Sequence, residues 1–385
     1  MDMEFFAHSI AGICAHALVV PERPLRWMII ANPTAGGFTI RARWKKHRRI
    51  LEVYRQKALR NLLREDAAPA AAAGRFGMPA ALSACGMVLT GGPGNGGAIT
   101  RALIDEAGDC APSGGKPAPF YLIITAGGDG TSLEVLSALY HAPAVVRSSM
   151  AVLRLPMGTG NDGADSPVLD GALDRLVGPS RIEYTPALRL LTRTGGPAES
   201  NGPFLAFNIL SVGLDAFVTH MTNKMKGNLP GDSYRLWVDI AALLYDRIYQ
   251  VDYLDVRALD SAGGEVCSFR EKLLLLAVGA SGHRTYGSRK KILPDERNVC
   301  ALRQMPLLRK LALKGLFNTG AHISKPEAKL FNARRVEFSG LYPILAQMDG
   351  ETVLLQRDDF PAAIELTGSV IPLLKAKGKA EQAVR

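Results

Sequence analysis

Gly127-Gly128-Asp129-Gly130, followed by Thr131, leaves the chain around it few ways to fold. The run Phe120–Ala126 before it is apolar and the run Ser132–Tyr140 after it is amphipathic, which predicts a buried strand, a tight turn and a helix. Such a turn directs backbone N–H groups outward at a helix N-terminus and so suits a phosphate. Glycine lets the main chain approach closely and take up conformations closed to other residues. Asp129 inside such a cradle would repel a bare phosphate. It makes sense if it holds or orients Mg²⁺, which favours carboxylate together with phosphate oxygens. The competing reading of Asp129 is a helix cap.

Two further loops have the same form. Ala151–Pro156 reads as a short strand, and Met157-Gly158-Thr159-Gly160-Asn161-Asp162 as the loop after it. Trp27–Ile30 reads as a strand leading into Ala31-Asn32-Pro33-Thr34-Ala35-Gly36-Gly37. Gly-rich loops after successive buried strands fall at the carboxyl edge of one parallel sheet, where open α/β folds bind ligands.

In this order the motifs resemble the diacylglycerol kinase catalytic-domain family, which includes sphingosine kinases and soluble bacterial lipid kinases. The residues that carry the resemblance begin with Asn32-Pro33 and Gly36, then Gly127 to Thr131 with Glu134 downstream. They continue with Pro156 to Asp162, Asn208, Gly213-Leu214-Asp215 and Asp349-Gly350-Glu351. The resemblance spans roughly residues 27 to 375 and implies ATP- and Mg²⁺-dependent phosphorylation of a lipid hydroxyl. Asn32, Thr34 and Gly36 are expected at the nucleotide from the first loop, with Thr90 as a further candidate. Gly127, Gly128, Asp129, Gly130 and Thr131 join them, as do Gly158, Thr159, Asn161 and Asp162, with Asp129 as the metal carboxylate. The resemblance puts Glu351 and Asp349 in the catalytic centre and leaves open which is the base, with Asp129 as a third candidate. Glu351 is favoured as the proton acceptor because its extra methylene extends its reach from the turn, with Asp349 orienting the hydroxyl or interacting with Mg²⁺. Spacing alone would make Asp349-Gly350 a strand-to-strand turn. One departure stands out. Gly163-Ala164-Asp165 lies where many members carry an Ala-Arg pair, so a negative charge replaces a positive one.

The expected fold is an α/β N-terminal nucleotide-binding domain with a parallel sheet, phosphofructokinase- or NAD kinase-like, plus a C-terminal β-sandwich-like domain. The expected boundaries are an extension over 1–26, the nucleotide domain over 27–180, a β-rich lipid-substrate domain over 181–375 and a polar tail over 376–385. In the second domain, short strand-like runs are punctuated by turn residues, with helices near Asp232–Tyr245 and Met305–Phe317. Pro203–Leu210 reads as one continuous strand. Gly91–Gly97 has the composition of a P-loop without its Lys-Ser/Thr.

With 46 Lys and Arg against 36 Asp and Glu, the net charge is +10, which suits an anionic partner. The basic stretch Arg41–Arg49 reads as the start of a helix, either a solvated face or an attractor for membrane or nucleotide. Met305–Phe317 alternates Leu with cations and is the first expectation for bilayer contact. The five cysteines are scattered and form no Cys-x-x-Cys pair, which argues for reduced thiols. A cytoplasmic protein peripheral to the membrane is expected, with a lipid substrate and no nucleic-acid partner; a homodimer is left open. Two other readings compete: a soluble-substrate kinase such as an NAD kinase, which shares Gly-Gly-Asp-Gly-Thr, and a nucleotide-binding, membrane-associated regulatory module without activity.

Overall fold

The computed structural model describes residues 2–17, 19–20, 22–62, 86–109, 118–158, 160–194, 204–225, 245–286 and 290–377. Thr159, the Ala-, Gly- and Pro-rich stretch 64–81 and the helix expected over Asp232–Tyr245, apart from Tyr245 itself, lie outside these residues. The chain divides into two compact units, Met1–Thr185 with Ser369–Arg385, and Pro186–Gly368. Among the described residues no helix is long and apolar enough to cross a membrane.

The first unit is built on a parallel sheet of β1 (Leu25–Ala31), β2 (Gly86–Leu89), β3 (Phe120–Gly127) and β4 (Met150–Pro156). Its order is β2-β1-β3-β4, and Leu373 adds a parallel pairing on Val152 of β4. Every residue of β3 and β4 is buried, as expected of strands covered on both faces. The register sets Ala31 beside Ala126 and Gly127 beside Pro156, so the loops leaving β1, β3 and β4 start level with one another. One face of the sheet buries Trp27, Ile29, Leu122, Ile124 and Leu153 against Phe6, Ile10, Ile13, Leu51 and Leu173. The first three belong to the helix Met3–Cys14, in the segment that the sequence sets apart as an extension. Phe6 meets Phe38 edge-to-face at 5.0 Å between ring centroids. Full burial of each such side chain contributes roughly 1.5–3 kcal/mol, so this helix is part of the core.

The second unit is antiparallel. Its axis is the long strand Glu265–Gly279, whose first half pairs with Tyr253–Leu259 and whose second half pairs with both Ile209–Gly213 and Val299–Arg303. One sheet continues from Tyr253–Leu259 through Arg335–Ser339 to Ala362–Glu365. The other continues from Ile209–Gly213 through Ile344–Met348 to Glu351–Leu355. Residues of both sheets, among them Leu210, Val212, Leu254, Val256, Leu276, Val336, Phe338 and Ile364, share one core. This is the sandwich-like arrangement, with one strand turning from sheet to sheet.

Pro203–Leu210 is not one strand. It is split into Leu205–Ala206 and Ile209–Gly213, because the N–H groups of Phe207 and Asn208 leave the ladder and donate to the Asp349 carboxylate. The expected helix Met305–Phe317 runs from Leu307 to Lys314, with Pro306 at its N-cap.

Candidate active site

The loop after β1 is fastened before any ligand is considered. Asn32 N–H donates to Ala126 O at 3.0 Å. Asn32 Oδ1 accepts from Thr34 N–H at 3.0 Å and from Thr34 Oγ1 at 2.8 Å, an Asx turn that fixes both side chains. Gly37 N–H donates to Met157 O at 2.7 Å. A β-carbon on Gly37 would lie 2.8 Å from that oxygen, so the loops after β1 and β4 meet backbone to backbone. Gly36 opens the short helical turn Gly36–Thr39 between these contacts.

The loops after β3 and β4 meet in the same way. A β-carbon on Gly158 would lie 2.5 Å from Gly128 Cα, and one on Gly127 would lie 2.5 Å from Thr131 Oγ1. Asp129 is the first residue of the helix Asp129–His141, whose N-cap, Gly128, brings no side chain to the N-terminus. The amides there are those suited to an anion. Asp129 Oδ1 accepts from Gly163 N–H at 2.9 Å. A β-carbon on Gly160 would sit 3.2 Å from Asp129 Oδ2 and 3.4 Å from Asp162 Oδ2, so two carboxylates from consecutive loops flank one glycine. Asn161 takes φ +58° and donates from Nδ2 to Pro156 O and Gly158 O at 3.2 and 3.0 Å. Its Oδ1 is buried and has no hydrogen-bond partner among the described residues.

Thr90 stands at the end of β2, where its N–H donates to Ala31 O at 2.8 Å. The Gly-rich turn after it is already occupied by the chain itself. Glu134 accepts from Gly94 N–H at 2.7 Å and from Gly96 N–H at 2.8 Å, one on each carboxylate oxygen. This acid fills the N-terminus of the helix Asn95–Asp109 as an anion would. Composition alone makes that turn look like a phosphate loop. Nothing in the spacing marks Glu134 as its occupant.

Asp165 explains its own departure from the family pattern. Its carboxylate is wholly buried and accepts from Arg154 N–H at 2.7 Å, Arg154 Nη2 at 3.1 Å and Lys375 Nζ at 3.1 Å. Burial would raise its pKa, but Arg154 and then Lys375 outweigh burial and hold it at about 2. The positive charge that the loop lacks is supplied from inside β4.

In the second unit, Asp349-Gly350 is the two-residue turn of a hairpin in which Met348 faces Glu351. Both turn residues have positive φ, +48° and +109°. Asp349 is buried, and its carboxylate accepts from the N–H groups of Phe207 (2.5 Å), Asn208 (3.0 Å) and Ile209 (2.9 Å). Glu351 is exposed at the head of its strand. Asn223 Nδ2 fastens the turn through Gly350 O at 2.8 Å, and Gln347 joins Gly350 N–H to Ser211 and Asp215.

The first unit therefore gathers Asn32, Thr34, Gly36, Thr90, Gly127 to Thr131, Gly158, Asn161 and Asp162 at one edge of a parallel sheet. Asp349 and Glu351 belong to a turn of the second unit. Among the described residues no group of three His, Cys, Asp or Glu side chains is placed to hold a metal. Spacing gives Glu134 no legible role, and Arg43, within the basic stretch Arg41–Arg49, donates from Nη1 to Gly158 O at 3.5 Å.

The chain thus combines a parallel α/β unit with interlocked glycine loops and an antiparallel β unit. Residues 26–177 match the family model of the diacylglycerol kinase catalytic domain. Two solved structures, each of a candidate diacylglycerol kinase from Bacillus anthracis str. Sterne, are similar in fold at TM-scores of 0.53 and 0.50, both with 16% identity. The first alignment covers 92% of this chain and 96% of that one; the second covers 90% and 96%. No curated protein matches the chain.

Proposed function

We propose that the protein is a lipid kinase that transfers the γ-phosphate of ATP to a lipid hydroxyl, on a diacylglycerol-like or sphingoid acceptor. The observation that carries this reading is the backbone contact of Gly158 with Gly128, which sets Asp129 and Asp162 on either side of Gly160. The amides of Gly128 and Gly130, with Thr131, receive the phosphates at the start of the helix Asp129–His141. Asn32 and Thr34, locked to each other, line the nucleotide from the neighbouring loop, with Gly36 and Thr90 beside them.

The donor set near Gly160 fits Mg²⁺, which takes one or two carboxylates together with phosphate oxygens and water. Asp129 would hold the ion, with Asp162 close by. Bound there, Mg²⁺ neutralises charge on the phosphates during transfer. Glu351 accepts the proton of the attacking hydroxyl. It has an exposed carboxylate, whereas that of Asp349 is engaged by three backbone N–H groups. Asp349 then acts by holding the turn that presents Glu351. The protein works on the cytoplasmic side, in peripheral contact with an anionic membrane.

The deciding experiment is transfer from radiolabelled ATP into a total lipid extract, with NAD offered in parallel and products identified by mass. A phosphorylated lipid supports the reading. Label only in a phosphorylated dinucleotide overturns it in favour of a soluble-substrate kinase, and label in neither favours a binding module without activity.

A further inference from the structure

The charge of the chain is concentrated on one helix. Arg41–Leu62 carries nine Lys and Arg and one acid, Glu52, so it alone accounts for +8 of the net +10. Helix stability gives no reason for this. The first turn has no acid, and Arg41, Arg43, Lys45 and Lys46 stand near the N-terminus, where the helix dipole disfavours cations.

Internal pairing gives no reason either. Arg48 is 3.4 Å from Glu52 and Lys57 is 2.8 Å from Asp174. Arg41, Lys45, Lys46, Arg49, Arg55 and Arg60 are exposed and make no ion pair among the described residues. Arg41, Lys45 and Arg49 succeed one another at i, i+4 and i+8, so they form a single outward stripe. The opposite side buries Leu51, Tyr54 and Ala58. Two apolar side chains, Val53 at 60% and Leu59 at 47% exposure, stand among the cations.

The helix Leu307–Lys314, which the sequence favours for bilayer contact, differs in kind. Its Arg309 pairs with Glu327 at 2.6 Å and its buried Lys310 with Asp246 at 2.5 Å. Those charges are spent within the fold.

We infer that the outward face of Arg41–Leu62 is the surface that docks this protein on a bilayer rich in anionic phospholipid. The inference rests on the lipid-kinase reading for its purpose, though not for its measurement. Exposed cations draw the helix to anionic headgroups, and Val53 and Leu59 enter the boundary beneath them. A nucleic acid suits this face less well, because Tyr54 is buried and the outward arc offers no aromatic ring for a base to stack on. The helix also begins beside the glycine loops, where Arg43 reaches Gly158 O.

The test is co-sedimentation of the full chain, without nucleotide, with vesicles of phosphatidylcholine and of phosphatidylcholine mixed with phosphatidylglycerol. Wild type is compared with the triple variant Lys45→Ser, Lys46→Ser, Arg49→Ser and with Leu308→Ser. Each cation near an anionic surface is worth about a fivefold change in binding, so the triple variant should bind mixed vesicles roughly 10²-fold more weakly. Leu308→Ser should bind like wild type, and added salt should weaken wild type towards the triple variant. Wild-type affinity in the triple variant, loss of binding in Leu308→Ser alone, or stronger binding of wild type to duplex DNA than to mixed vesicles would each overturn the inference. A parallel assay on acceptor lipid in neutral detergent micelles separates the two claims. Equal turnover by wild type and triple variant leaves the kinase reading standing whatever the vesicles show. No turnover by either sinks that reading without touching the vesicle result.

Discussion

Gly158 and Gly128 touch through their main chains: a β-carbon added to Gly158 would lie 2.5 Å from Gly128 Cα and 3.3 Å from Gly128 N. Those atoms belong to backbone in a loop fixed by two buried strands and cannot swing away as a side-chain tip could. The contact joins the loop that carries Asp129 to the loop that carries Asp162.

Gly158→Ala should therefore damage the site through the backbone. Overpacking of this kind costs about 1–3 kcal/mol, and the loops must separate to relieve it. Calorimetry should show ATP binding weakened at least tenfold, with a lowered melting temperature. Gly92→Ala is the control, since its β-carbon would meet nothing within 4 Å. If Gly158→Ala binds ATP like wild type, the contact is not part of the nucleotide site.

The strands and turns of the first unit were legible because each was marked locally. β3 and β4 are apolar runs closed by glycine turns, and the structure moves their ends by a residue at most. Legibility failed where a partner lies far along the chain. Phe207 and Asn208 look like strand interior, and only Asp349, more than 140 residues on, explains why they are not. Glu134 bonding Gly94 and Gly96 crosses about 40 residues. The helix Met3–Cys14 has no turn or motif to mark it as core; its place depends on the apolar sheet face and on Phe38 and Trp44. Likewise Asp165 reads as a lost cation until Arg154 and Lys375 are seen around it.

Asp129→Asn tests the proposed metal carboxylate without breaking the turn. The amide keeps an oxygen for Gly163 N–H, whose bond to Asp129 Oδ1 is 2.9 Å, while the charge is removed. Thermal melting of the free protein should stay close to wild type. Mg·ATP affinity should fall at least tenfold, and the gain in ATP affinity on adding Mg²⁺ should shrink. Unchanged Mg²⁺ dependence in isothermal titration would move the metal to Asp162.

Asp349 and Glu351 should fail in opposite ways. Glu351 is exposed, so Glu351→Gln should melt with wild type while kcat drops by about 10²–10⁴-fold, the usual cost of losing a general base. Asp349→Asn retains an acceptor but gives up the charge that strengthens three backbone hydrogen bonds, each worth about 1.5–3 kcal/mol when charge-assisted. It should lower the melting temperature by several degrees. Single-turnover assays beside thermal melts decide the matter. A Glu351→Gln protein with near-normal turnover would point to Asp349 as the base.

Asp165 links stability to acid pH in a direction that its surroundings fix. Burial raises its pKa, but Arg154 and Lys375 overcome that and bring the folded value to about 2. In the unfolded chain an Asp titrates near 3.9. A depressed folded value means that the stabilisation is fully present above pH ~4 and is lost as pH falls towards 2. The shift corresponds to about 2–3 kcal/mol at neutral pH. Asp165→Asn should remove this acid-dependent component and leave Arg154 and Lys375 facing a neutral group inside the fold, at a cost of about 3–5 kcal/mol. Urea unfolding at pH 7, 4 and 2 should show the gap between wild type and variant wide at pH 7, nearly as wide at pH 4 and narrower at pH 2. A gap that stays constant down to pH 2 would mean that Asp165 does not titrate in this window, and that its pairing with Arg154 is weaker than the geometry requires.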